Sequence, residues 1–80
     1  MTDQEILSTC TAILRDLLSD DSLVLTPATR RQDIPKWDSL AYINFMVALE
    51  MELGIKFNVG ELEGFENVGA IIAAIKTKGR

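Results

Sequence analysis

The sequence predicts an all-α fold, a four-helix bundle with a long loop between the first and second helices and a short third helix. Three observations lead there. Apolar residues recur at helical spacing in separate stretches of the 80-residue chain. Cap-forming residues open those stretches, and glycine closes two of them. Both prolines, Pro27 and Pro35, fall in the one long segment between the first two stretches, where they forbid helix.

The first helix is expected over residues 3–18. Ile6, Leu7, Cys10, Ile13, Leu14, Leu17 and Leu18 share one face, and Thr2 with Glu5 fits a capping box. Cys10 on that stripe reads as a small buried hydrophobe, since no cation or base stands near it in sequence to make a reactive thiol. Residues 19–37 form the connection. Asp20, Asp21 and Ser22 stop the first helix, Leu23, Val24 and Leu25 anchor the loop to the core, and Arg30, Arg31 and Lys36 make it the most basic part of the chain. A loop of this length in a small domain is either functional or held by its own side chains.

The second helix, 38–53, is apolar nearly all round. Leu40, Ile43, Met46, Val47, Leu49 and Leu53 are expected inward, yet Ala41, Tyr42, Phe45, Ala48 and Met51 leave few polar positions elsewhere. Such a helix is central to a bundle, or presents a hydrophobic docking face, or does some of each. Gly54 ends it. Ile55 and Phe57 flank Lys56 in a short extended link. Asn58 caps a short helix over Val59–Glu63, Gly64 closes it, and Phe65 anchors the turn. Asn67 caps the last helix, Val68 to about Lys78, with Val68, Ile71, Ile72 and Ile75 on one face and Lys76, Lys78 and Arg80 at the negative end of its dipole.

Composition narrows the function. One small domain over residues 1–80 has one modest core, set against roughly 1.5 kcal/mol of ordering entropy per residue. Hydrophobic residues at 48% are too many for disorder. Twelve acidic against eight basic residues argue against a nucleic-acid partner and for a protein with a basic docking patch. A single cysteine permits no internal disulfide, and the absence of histidine removes the commonest general base and metal ligand. The start, Met-Thr-Asp-Gln-Glu, is unlike a signal peptide, and the longest apolar stretch, broken at Asn44, falls short of the ~20 residues that span a bilayer. A soluble, free-standing cytoplasmic protein without membrane insertion is expected.

Catalysis has no equipment here. A nucleophilic serine needs a base and an oxyanion site, and an adjacent aspartate is too weak to deprotonate an alcohol. The paired carboxylates Asp20 and Asp21, Glu50 and Glu52, and Glu61 and Glu63 lie in loops or on solvated faces, and neither a phosphate loop nor metal-ligand spacing occurs. Attention falls on Trp37-Asp38-Ser39-Leu40. Asp38 is a good N-cap, which leaves the Ser39 hydroxyl free at a helix N-terminus, where unpaired N–H groups and the dipole favour a phosphate. Ser39 therefore reads as a residue modified by another enzyme. Trp37 either anchors the loop or meets a partner.

The element order, with Asp38-Ser39-Leu40, Ala48-Leu49-Glu50, Glu52-Leu53, Phe57 after the glycine turn and Glu66-Asn67-Val68 before the last helix, resembles the acyl carrier protein family over essentially the whole chain. The resemblance implies that Ser39 receives 4′-phosphopantetheine from coenzyme A through a separate Mg²⁺-dependent phosphopantetheinyl transferase. The arm's thiol then carries acyl groups as thioesters between acyl-activating, ketosynthase or acyltransferase-type enzymes. Asp38 would assist the transfer. Leu40 and Ile43, with Glu50 and Trp37, would meet partners, and the arm would swing from an exposed serine beside a flexible loop. Phe45, Met46, Leu49, Phe57, Leu62 and Ile72 would line an acyl pocket that deformable Met46 helps to open. A carrier visiting many partners is most useful as a monomer.

The departures are informative. Pro35-Lys36 replaces the Leu-Gly that often precedes the motif. Fatty-acid-synthesis carriers usually show several acids outward on the second helix, where this chain has Ala41, Asn44 and Met51 and keeps Glu50. Each missing exposed pair weakens charge docking by about 0.2–1 kcal/mol, which argues against the housekeeping fatty acid synthase as the main partner, while the Trp before Asp-Ser-Leu resembles discrete carriers of specialised lipid or polyketide-type pathways. Peptidyl carriers more often place Gly-Gly-His or Gly-Gly-Asp ahead of the serine. A peptidyl or amino-acyl carrier, and an unmodified carrier-like interaction module, stand as the alternatives; Ser39→Ala abolishes loading of a carrier but spares a module's binding.

Overall fold

The structure, a computed structural model, describes residues 2–78. Its helices are α1 (Asp3–Leu18), α2 (Ser39–Leu53), α3 (Val59–Gly64) and α4 (Val68–Lys78), with a 3₁₀ turn at Arg31–Asp33 and no strand among the described residues. The local chemistry accounts for each boundary. Thr2 and Glu5 close their capping box, with Thr2 N–H donating to Glu5 Oε1 at 2.8 Å and Glu5 N–H to Thr2 Oγ1 at 3.1 Å. Asn58 and Glu61 form a second box at the start of α3. Asn67 Oδ1 accepts from Ala70 N–H at 2.9 Å to open α4. Gly54 ends α2 at φ 65°, a conformation that its lack of a Cβ makes easy. Lys76 and Lys78 stand in the last turn of α4; Arg80 lies outside the described residues.

The core is built from Ile6, Cys10 and Leu14 of α1, Phe45, Met46 and Leu49 of α2, and Val68, Ile71, Ile72 and Ile75 of α4. Helix α1 packs on both α2 and α4. This arrangement corrects the expected inward face of α2. Leu40, Ile43 and Val47 are exposed, while Phe45 is fully buried and Ala41, Tyr42 and Leu53 pack at the edge of the core. A helix apolar on every side carries no internal signal for which side faces in, so its neighbours decide.

Leu23 and Leu25 anchor the long connection to the core, as expected; Val24, expected to anchor with them, is exposed. Leu23, Leu25 and Trp37 insert into the core, and Val24 between the first two points outward, as the alternation of an extended segment requires. Arg15 Nε donates to the Leu23 carbonyl at 2.6 Å. Farther along, the Thr29 and Pro27 carbonyls accept the Val68 and Gly69 N–H groups at 2.9 and 2.7 Å. Loop carbonyls thus satisfy the first amides of α4, which no intrahelical acceptor could reach. The 3₁₀ turn is held by Asp33, whose carboxylate accepts the Arg30 N–H at 2.9 Å.

Helix α3 is too short to be stable alone. Tyr42 Oη donates to its Leu62 carbonyl at 2.7 Å. Lys78 pairs with Glu61 at 2.8 Å, and the Phe57 and Phe65 rings meet edge to face on either side of it.

Candidate functional site

Asp38 and Ser39 stand where the pinned loop becomes α2. Asp38 is extended (φ −81°, ψ −175°), and its Oδ1 accepts the Ala41 N–H at 2.9 Å while its carbonyl accepts the Tyr42 N–H at 2.8 Å. Because Asp38 caps the helix, Ser39 takes the first helical position with its hydroxyl uncommitted. Among the described residues nothing hydrogen-bonds to that hydroxyl, and Asp38, Ser39 and Leu40 are all exposed. An anion attached at Ser39 would sit against the positive end of the α2 dipole.

Two residues earlier, Trp37 is only 2% exposed. Its ring meets Phe45 edge to face at 5.2 Å and Tyr42 at 6.0 Å, and Arg31 Nη1 donates to its carbonyl at 3.3 Å. Ser39 is therefore held from both sides, by an aromatic anchor behind and a capped helix ahead.

Comparison with known proteins bears on this geometry. The phosphopantetheine attachment site family matches residues 37–75, a segment that includes Ser39. The acyl carrier protein MbtL of Mycobacterium bovis is 40% identical over 73 residues, covering 91% of this chain and 87% of the relative. MbtL of Mycolicibacterium paratuberculosis is 41% identical over 68 residues, covering 85% and 76%. The solution structure of the holo acyl carrier protein of Geobacter metallireducens superposes with a TM-score of 0.83 at 43% identity, over 90% of this chain and 83% of that one. The chain belongs to the acyl carrier protein family.

An acyl carrier protein is not an enzyme, and its cofactor is covalently attached 4′-phosphopantetheine. The residues present fit that group: an exposed, uncommitted hydroxyl at a helix N-terminus, next to a carboxylate already occupied as the cap. Burial pushes the Cys10 thiol up to about 11, so it is a core atom and a poor nucleophile. Among the described residues no cluster of His, Cys, Asp and Glu could hold a metal ion, and no helix is long and apolar enough to cross a membrane.

The residues expected to meet a partner of the carrier separate into two groups. Leu40 is 71% exposed and Ile43 47%; Val47 and Met51, not singled out in sequence for this face, are exposed with them. Positions 40, 43, 47 and 51 fall within about 80° of one another on the helical wheel, so they form one apolar stripe running from Ser39 down α2. Trp37 and Glu50 belong elsewhere. Trp37 is buried in the core, a placement that suits the loop-anchor reading. The Glu50 carboxylate turns back to accept the Phe57 N–H at 2.7 Å and is committed to holding the α2–α3 link.

The six residues expected to line an acyl pocket do gather in one region of the carrier. Phe45, Met46, Leu49, Phe57 and Ile72 lie in the main core, with Leu62 half-buried at its margin. They pack closely, each of the first five no more than 7% exposed. A chain entering there must part them. An open cleft of about 470 Å³, lined in part by Tyr42 and by Leu62 of this set, lies between the 3₁₀ turn and the α3–α4 link. Sequence reading did not find this cleft, because its walls come from three separate stretches, residues 30–32, 42 and 62–67.

Proposed function

We propose that Ser39 carries the 4′-phosphopantetheine arm and that residues 1–80 act as one cytoplasmic, monomeric carrier domain. The thiol ending the arm holds acyl groups as thioesters, and the carrier passes them among acyl-activating, ketosynthase or acyltransferase-type enzymes of lipid, polyketide or other specialised biosynthesis. One observation supports this reading above the others: the Ser39 hydroxyl is exposed and unpaired at the N-terminus of α2, because Asp38 alone does the capping. Asp38, adjoining Ser39 in the chain, assists the transfer of phosphopantetheine from coenzyme A onto that hydroxyl, in which the Ser39 Oγ–P bond forms as the pyrophosphate P–O bond breaks and the nucleoside bisphosphate leaves.

The stripe of Leu40, Ile43, Val47 and Met51 is the partner-recognition face in this reading. With Glu50 turned inward, docking along α2 rests on apolar burial more than on charge, so affinity for partner enzymes changes little with salt. Phe45, Met46, Leu49, Phe57, Leu62 and Ile72 part to take up the acyl chain, with the unbranched Met46 side chain moving first.

An intact-mass spectrum after incubation with coenzyme A, Mg²⁺ and a broad-specificity phosphopantetheinyl transferase tests the assignment. The expected result is a gain of one phosphopantetheine that Ser39→Ala does not show. No gain with several transferases, or a gain that survives Ser39→Ala, overturns it.

A further inference from the structure

Trp37 immediately precedes Asp38-Ser39, and all of its polar groups but one have partners. Its backbone N–H donates to the Ile34 carbonyl at 3.0 Å, and its carbonyl accepts from Arg31 Nη1 at 3.3 Å. The indole Nε1 is buried and finds no acceptor among the described residues, where no other buried side-chain polar atom is left in that state. A buried donor without a partner carries its desolvation cost in full and is rare enough to need a reason. A plain apolar ring would anchor the loop without that cost.

Trp37 forms part of the wall of a crevice of about 10 Å³, room for a single water. Three stretches of chain that are distant in sequence meet there. Thr29 and Arg31 come from the long connection, Trp37 and Tyr42 from around the start of α2, and Glu66 and Asn67 from the link into α4. A cavity of this size holds water only where it supplies two to four polar partners, and an apolar one stays dry. The indole N–H is one partner. Two oxygens supply the others. The Thr29 carbonyl accepts the Val68 N–H at 2.9 Å, and Asn67 Oδ1 accepts the Ala70 N–H at 2.9 Å; each keeps a second lone pair. The Thr29 hydroxyl is engaged elsewhere, accepting the Thr26 N–H at 2.9 Å and lying 3.1 Å from the Thr26 hydroxyl.

We propose that the crevice is the site of one internal water, which accepts from Trp37 Nε1 and donates to the Thr29 carbonyl and to Asn67 Oδ1. One molecule then joins the tryptophan before the Asp-Ser pair, the long connection and the cap of α4. The same two oxygens already hold the first amides of α4, so the water extends that seam to the start of α2. Trp37 is fixed by polar contact as well as by its rings, and the orientation of the indole is set where packing alone would leave it free to adjust. The site does not depend on what Ser39 carries and is present in the unloaded chain.

The chain has a single tryptophan, so its indole hydrogen gives one unambiguous signal. In the ¹⁵N-labelled, unloaded chain, a long-lived bound water gives that hydrogen NOE and ROE cross-peaks of opposite sign at the water frequency, whereas chemical exchange gives the same sign in both. Opposite signs are expected. They should persist in Thr29→Val and in Tyr42→Phe, which remove the two hydroxyl groups of the crevice residues whose hydrogens also resonate at the water frequency. A crystal structure of the unloaded wild-type chain reads the site without any variant. It should show one ordered water about 2.9 Å from Nε1 and within hydrogen-bond reach of the Thr29 and Asn67 oxygens. Absent or same-sign cross-peaks, cross-peaks that vanish with either hydroxyl, a dry crevice, or an indole paired directly with a protein oxygen overturn the site.

Discussion

Tyr42→Phe removes one oxygen atom and isolates the tie between α2 and α3. The Tyr42 hydroxyl donates to the Leu62 carbonyl at 2.7 Å, a short bond at the rim of the open cleft. The net value of such a bond is about 0.5–1.5 kcal/mol. Water can reach the Leu62 carbonyl from the cleft once the hydroxyl is gone, so the heavier penalty for a sealed, unpaired acceptor does not apply. The phenyl ring keeps its packing on Trp37. A loss of about 1 kcal/mol is expected, which in a domain of this size lowers Tm by about 4–8 °C. The effect should be concentrated in α3: exchange of the Leu62 amide, bonded to the Asn58 carbonyl, should quicken about fivefold.

The pH dependence gives a second readout of the same bond. Burial pushes the Tyr42 phenol above its ordinary value of 10.0, although the nearby Arg31 charge opposes this. The unfolded chain therefore loses this proton first as pH rises, and the stabilisation is full below pH 10 and lost as pH climbs through the folded value. Because Tyr42→Phe lacks the group, the gap in stability between wild type and variant should be constant up to pH 10 and narrow above it. Other alkaline titrations, Cys10 included, are common to both proteins and cancel. Urea titrations at pH 7, 9 and 11 decide the matter. A Tm change under about 2 °C, or a gap unchanged at pH 11, refutes the role given to the hydroxyl.

Three further outcomes follow from other contacts. Cys10, with its thiol raised from an ordinary 9.0 to about 11, presents about a hundredfold less thiolate than a free cysteine and is also buried, so a disulfide reagent at pH 8 should label it only as fast as the chain opens and at once in denaturant. In Gly69→Ala the new Cβ would lie 2.9 Å from the Pro27 carbonyl oxygen, which already accepts the Gly69 N–H; crowding of about 1–3 kcal/mol outweighs the helix preference of alanine, about 1 kcal/mol, and the urea midpoint should fall. Arg15→Met keeps the aliphatic stem but leaves the Leu23 carbonyl without its charged donor, and equilibrium unfolding should show a loss of about 2 kcal/mol with an unchanged m-value.

What could be read from sequence was what is local. Thr2 with Glu5, Asp38, Gly54, Asn58 and Asn67 act over three or four residues, and each does in the structure what its type and spacing require. The same locality made the Ser39 hydroxyl stand out, since its freedom depends only on Asp38 taking the cap. The orientation of α2 was not legible, because Leu40, Ile43 and Val47 are as apolar as Phe45, Met46 and Leu49 and only the partners across the core distinguish them. Trp37 was open between two roles for the same reason. The struts that pin the loop, Arg15 to Leu23 and Pro27 and Thr29 to the start of α4, join positions that no periodicity links. Glu50 looked like a surface charge until the turn after Gly54 brought the Phe57 amide back to it.

The pinning of the loop also decides where motion in this molecule resides. A tethered group searches the space around its anchor, and a wandering anchor blurs both the centre of that search and its direction. Here Trp37 is packed in the core and Asp38 caps the first turn of α2, so an arm on Ser39, as proposed, would pivot from a point fixed relative to the exposed apolar stripe a turn away. The ordering of that point would be completed when the chain folds, and a partner gripping the stripe, as proposed, would meet it already in place. On that reading reach would depend on the arm alone, and the concentration of its tip at a partner's active site would be set by arm length and by where the stripe seats.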